Sequence, residues 1–336
     1  MEHMKRFLAT LALLLPALLP AQTPAITKAL SHAIHAVDDL DTTLAFYNSV
    51  FGIKGNPSDF ANPAVPLLTN APGVTLRLSM LSLPGGLRFE LTHFKGLERK
   101  GAQAKYTDPG AASLIFYVRE IDSLVANAKK ANAPIVTTGG APVEISTAKG
   151  KERSIILRDP DGYFLQLLQE PPAAGAPETN VYRVSMAYTM ENADATAAFY
   201  TGQLGIPLAA PTAFSKDAAM LQLYGAPAGT EFRKLSGVMP GPQAAQIEFT
   251  EFRGVPRTKF QLRVRDPGAP AMCIQVNEER PTIARMKAAG TPIISANGEI
   301  VDFGGGTFTI FVQDPNGMNL EVFERNPPPG RNGGQR

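Results

Sequence analysis

Glu321 lies in the stretch QDPNGMNLEVFE, and Gln166 holds the same place in RDPDGYFLQLLQ. The turn-and-strand frame is written twice, the carboxylate once. A strand carboxylate can ligate a dication or move a proton, whereas an amide carbonyl is a weak, neutral ligand. A second pair of frames, FELTHF around Glu90 and IEFTEF around Glu248, keeps its glutamate in both copies. His32 and His35 stand in the opening stretch HAIHAV. Imidazole is the other common ligand and proton carrier near neutral pH. His35 is three residues from His32, so on a strand it faces the other way and reads as a satisfied core histidine. His93 and its repeat partner Glu251 have the same parity relative to Glu90 and Glu248, and read as rim or surface residues. Cys273, the single cysteine, sits mid-strand in AMCIQV and reads as a buried small hydrophobe. The Asp-Pro-Asp/Asn-Gly elements are turns that position the last strand, with no catalytic role.

The elements that carry these residues are also written twice. LAFYNSVFGI matches AAFYTGQLGI, FELTHFKG matches IEFTEFRG, and DPGAAS matches DPGAPA, in one order and at nearly constant offset. Ordered self-similarity fixes the architecture as a tandem duplication. The first copy opens with a strand. A helix follows, entered at Asp38–Asp39, with Leu44, Phe46, Tyr47 and Val50 near one side and Gly52 ending it. Strand-like runs VTLRLSML and LRFELTHF come next, then SLIFYV, a helix over EIDSLVANAKKAN and two closing strands. Each copy is therefore a pair of βαβββ modules of α+β class. Their mixed, mostly antiparallel sheets carry helices on one face and leave the other to curve around a ligand.

The chain has 336 residues, 44% hydrophobic and 18% charged, with 32 basic against 30 acidic side chains. This is the balance of a globular two-domain protein with a small-molecule partner. Without a basic run in the body, nucleic acid and anionic membrane are not indicated as partners. Lys5 and Arg6, the apolar Phe7–Leu19 run and Leu19-Pro20-Ala21 read as a signal peptide over 1–21, predicting a secreted or periplasmic protein free of the membrane after cleavage. The domains are then expected at 29–170 and 180–326, with a Pro/Ala/Gly linker at 171–179 and a disordered tail at 327–336. One cysteine makes no internal disulfide, so the fold must rest on its cores.

HAIHAVDDLDTTLAFY, FELTHF, RDPDGYFLQLLQ and QDPNGMNLEVFE together resemble the vicinal oxygen chelate superfamily, which includes glyoxalase I, extradiol dioxygenases and bleomycin resistance proteins. The resemblance spans both repeats. It implies a metal in each cupped sheet, with ligands from the first, fourth, fifth and eighth strands of the modules. Those positions fall on His32 and Ser185, Glu90 and Glu248, Ser113 and Ala271, and Gln166 and Glu321. Neither domain holds a full set. If each cup forms within one domain, the first offers His32, Glu90 and Gln166, and the second only Glu248 and Glu321. If the domains exchange halves, one cup gathers His32, Glu90 and Glu321, and the other keeps Ser185, Glu248, Ser113 and Gln166 without metal. The exchanged arrangement is the preferred expectation, because it concentrates three good ligands in one place.

Two functions follow from the resemblance. One is an exported metal-dependent enzyme, a glyoxalase-type lyase or isomerase or a ring-cleaving dioxygenase, acting on a small substrate with vicinal oxygens. His32, Glu90 and Glu321 would hold Fe, Mn, Ni or Zn, with Fe or Mn favoured by the two carboxylates. Glu90 and Glu321 would be its catalytic carboxylates. The other is a non-catalytic protein that sequesters a small flat ligand in the same cup. In either case a monomer should behave as an intramolecular pseudo-dimer.

Overall fold

The computed structural model describes residues 26–147 and 150–326. The expected signal peptide and tail lie outside those residues. The first copy runs β1 (Thr27–Ala36), α1 (Leu40–Phe51), β2 (Ser58–Phe60), α2 (Val65–Leu68), β3 (Thr75–Ser82) and β4 (Arg88–Lys95). It continues with β5 (Ala112–Val118), α3 (Asp122–Lys130), β6 (Val143–Thr147), β7 (Gly150–Arg158) and β8 (Phe164–Gln169). The second copy runs β9 (Val181–Met190), α4 (Ala193–Ala197), α5 (Ala218–Leu223), β10 (Glu231–Val238) and β11 (Gln246–Arg253). Then come β12 (Pro270–Val276), α6 (Glu279–Ala288), β13 (Val301–Gly304), β14 (Thr307–Gln313) and β15 (Asn319–Arg325).

Local chemistry sets these boundaries. Asp39 caps α1, its carboxylate accepting from the Thr42 amide at 2.7 Å, and Gly52 closes it in the left-handed conformation at φ 70°. Phe46, Tyr47 and Val50 are buried on the core face, with Leu44 packed beside them. In the second copy Asn192 caps α4, which runs on into a π-helical turn at Ala198–Gln203.

The strands form two sheets, and each sheet draws on both copies. One has the order β13-β14-β15-β12-β1-β4-β3-β2, the other β10-β11-β9-β5-β8-β7-β6. The central seams are the antiparallel pairs β1 with β12 and β5 with β9. The halves are therefore exchanged, and the within-domain cup does not form.

The segment from β4 to β5 carries the chain from one sheet to the other, and the segment from β11 to β12 carries it back. The two crossings fasten to the opposite copy through the repeated Asp-Pro-Gly. Asp108 accepts from the Thr258 amide and Asp266 from the Lys100 amide, each at 2.9 Å. Gly110 and Gly268 both lie near φ 90°. A Cβ on Gly110 would stand 2.3 Å from the Phe260 carbonyl oxygen, so only glycine fits there.

The main core lies under the helices, built around Tyr47, Phe89, Phe116, Tyr200 and Phe249. A smaller cluster, including Ile34, Phe94, Val264, Cys273 and Phe311, lies on the cupped face of the first sheet.

Candidate metal centre

The first cup is built on a row of three residues across adjacent strands. His32 on β1 faces Cys273 on β12, and Cys273 faces Glu321 on β15. Alternation alone would put His32 on the same side as Leu30, which is buried in the main core. A bulge between Leu30 and His32 reverses the alternation and turns the imidazole into the cup. Glu90 joins from β4, one row displaced, where it pairs with Ile34.

The side chains converge. His32 Nε2 lies 3.4 Å from Glu90 Oε2. One ligand atom each from His32, Cys273 and Glu321 lie within 4.8 Å of one another. Two ligands about 2.1 Å from a tetrahedral ion stand roughly 3.4 Å apart, so small rotations would let these groups share one ion. The outward partners are also in place. The Ser31 hydroxyl sits 2.9 Å from His32 Nδ1, leaving Nε2 toward the cup. Thr92 donates to Glu90 Oε1 at 2.5 Å, and Thr309 donates to Glu321 Oε1 at 3.0 Å. The donor set and its supports thus fit a divalent ion.

The two carboxyls are biased in opposite directions. Burial works to raise Glu90, but the His32 contact and the Thr92 hydrogen bond outweigh it and hold the carboxyl below its ordinary range. Burial dominates at Glu321 and pushes it up, with the Glu90 charge adding and His32 opposing. Burial and the Glu321 carboxylate push the Cys273 thiol well up.

These groups line a cavity of about 380 Å³. The rest of its wall is mostly apolar, with Phe60, Phe94, Phe303, Phe311 and Phe323 prominent. Phe60 and Phe303, from different copies, stack at 6.0 Å. Arg325 stands exposed at the lining, the one Lys or Arg there among the described residues. A larger groove of about 690 Å³ lies around Gly52–Asn56, but among the described residues its single titratable lining group is Lys54.

The second cup is different. Its matching row is Ser185, Ile115 and Gln166. Gln166 donates to Ser154, as its counterpart Glu321 accepts from Thr309. Glu248 pairs with Lys234 at 2.9 Å. The helix α5 and Tyr224 pack with Tyr106, Phe232 and Phe252 into a third core cluster beside this pair. The Lys234 ammonium therefore stands where a metal would be, although a cavity of about 580 Å³ remains beside Ile115, Ser185 and Glu248.

Several expectations change. The fifth-strand positions are Ile115 and Cys273, not Ser113 and Ala271: the register places the latter one row away, with Ala271 opposite Asn319 and Ile34. Cys273 is buried as expected, but its thiol faces the ligands rather than acting only as packing. Glu251 is not a rim residue. It is 8% exposed, ion-paired with Arg233 at 2.8 Å and accepts from the Ala193 amide at the start of α4. His93 is half-buried, near Asp38 and Arg99. His35 is fully buried under the sheet, 3.0 Å from Asp159. That aspartate, from the Asp-Pro-Asp-Gly turn, also accepts from the Tyr47 hydroxyl and the Tyr163 amide. Asp314 and Tyr200 repeat the arrangement in the second copy. The turns are thus tied to the helices as well as to the last strands.

The Glyoxalase/Bleomycin resistance protein/Dioxygenase superfamily matches this sequence twice, over residues 29–167 and 184–322. A Salmonella typhimurium protein described as a virulence protein is 28% identical over 139 residues, covering 41% of this chain and 81% of that protein. Glyoxalase I from Zea mays is similar in fold, with a TM-score of 0.58 at 20% identity over 89% of this chain and 92% of that one. A Bacillus subtilis protein described as a putative dioxygenase gives 0.55 at 14% identity, over 90% and 86%.

Proposed function

Because the chain belongs to the Glyoxalase/Bleomycin resistance protein/Dioxygenase superfamily, we propose that it is a metal-dependent enzyme of glyoxalase or dioxygenase type. Its substrate is small and presents two adjacent oxygens. The observation that carries this reading is the convergence of His32, Glu90 and Glu321 on the wall of a mostly apolar cavity. His32 Nε2 and the two carboxylates would hold the ion. A divalent ion in that place would supply Lewis-acid polarisation of the substrate oxygens.

The chain's own groups do the rest. Glu90 stays anionic beside His32 and Thr92 and serves as ligand. Glu321, the second carboxylate of the set, would also be the group that carries a proton to or from the substrate, with Thr309 donating to its Oε1. The phenylalanine wall excludes water and selects an apolar or aromatic body. With Arg325 at the lining, one anionic group on the substrate is accommodated. The second cup is structural, because Lys234 neutralises Glu248 in place of a metal.

Elemental analysis of the purified protein tests this. One equivalent of divalent metal is expected, falling at least about 10-fold in His32→Ala. An intact protein without any metal would instead favour a sequestering protein that uses the same cavity. The apolar segment after Lys5 and Arg6 further supports export, which N-terminal sequencing of the mature protein checks by a start at Gln22.

A further inference from the structure

We propose that Cys273 is a ligand in the first cup, binding as a thiolate beside His32, Glu321 and Glu90. The inference rests on the metal-dependent reading above and adds a soft donor to it. Cys273 is the middle residue of the row that joins His32 to Glu321. Its ligand atom lies within 4.8 Å of both of theirs. The residue is 3% exposed, yet it lines the cavity with His32, Glu90 and Glu321.

The duplication supplies an internal comparison. Ile115 occupies the same place in the second cup, between Ser185 and Gln166, and packs there as an ordinary hydrophobe with Tyr117 and Ala187. A small apolar side chain would therefore meet the packing need at this position. The thiol stands in the cup that also holds imidazole and two carboxylates. On binding, the sulfur–metal bond forms as the S–H bond breaks, and the proton leaves to solvent. A thiolate in the set favours zinc or cobalt over manganese, since softer donors prefer the later ions.

Loading the full chain with Co²⁺ reads the bond directly. The expected result is one equivalent of cobalt with a near-ultraviolet thiolate-to-cobalt charge-transfer band. That band should vanish in Cys273→Ser, and in Cys273→Ala should serine disturb the fold. Zinc affinity in the variant should fall on the order of 100-fold, beyond the loss of a supporting residue, while manganese affinity changes less than about 3-fold. General damage to the cup would lower both. Stoichiometric cobalt without the band would overturn the thiolate ligand and leave the His–Glu–Glu site standing. Failure to bind cobalt, zinc or manganese at all would remove the metal reading itself, and this proposal with it.

Discussion

Lys234 and Glu248 illustrate what single residues contribute here. Burial works against the Lys234 charge, but Glu248 beside it and the Tyr224 hydroxyl outweigh that and hold the ammonium above its usual range. The pair gives a second-cup glutamate a partner other than a metal. Glu279 has no such partner. It is 1% exposed at the start of α6, and neither of its carboxylate oxygens has a hydrogen bond among the described residues. Burial first, and Glu324 second, push its carboxyl up to about 8. The folded form therefore keeps a proton that the unfolded chain releases around the ordinary glutamate value of 4.5. This group is neutral to stability below its unfolded value. Its cost grows as pH rises, and is complete above the folded value. Glu279→Gln should stabilise the protein on the order of 1–3 kcal/mol at pH 9 and leave it nearly unchanged at pH 4. Thermal melts at the two pH values check this, and an equal shift at both would contradict it.

Among the elements, the crossing loops and the bulge in β1 matter most to the site. The loops commit each copy's second module to the other sheet, and the bulge aims His32. Gly110→Ala would place a methyl against the Phe260 carbonyl at a positive φ. The expected loss is about 2–4 kcal/mol, combining backbone strain with a steric clash. Because this loop holds the crossing, the loss should appear as a lower denaturation midpoint, with metal content reduced in the surviving folded protein only slightly. Gly140, which also has positive φ but nothing within 4 Å of its would-be Cβ, is the control; its alanine variant should cost about 1 kcal/mol. Equal losses at the two sites would argue against the crossing loop as the tight point.

At the scale of the molecule, the first cup needs both ends of the chain. His32 and Glu90 come from the first copy, Cys273 and Glu321 from the second. A fragment ending at the linker would leave the long edges of β1 and β5 unpaired. Such edges seek partners. Expressed alone, the first copy should dimerise or aggregate, and its cups would bring Ile115 and Gln166 beside His32 and Glu90. It should bind metal at least about 10-fold more weakly than the full chain. Size-exclusion chromatography with metal analysis checks this, and mixing the two halves should restore the site. A monomeric first half with full metal content would refute the shared cup.

The duplication, the paired βαβββ modules, the capped α1 and the identity of His32, Glu90 and Glu321 as candidates were all legible in the sequence. Each rests on local information: hydrophobic period, turn chemistry and repeated frames written within a few residues. The exchange of halves was one of two arrangements the sequence allowed, since ladder pairing between β1 and β12 joins segments far apart in the chain. Only the tertiary structure decided it, and with it the company Glu321 keeps. The same holds for Cys273. Residues 271 and 273 share a face of β12, and nothing local says which stands level with His32. Register across two strands, shifted by the bulge before His32, puts the thiol in the row and Ala271 beyond it. Glu251 turned inward for a similar reason: its partners Arg233 and the start of α4 are brought to it by packing. The sequence named the frame around Gln166 and Glu321. Folding supplied their neighbours: Gln166 donates to Ser154 beside Ile115, and Glu321 lies beside imidazole and thiol.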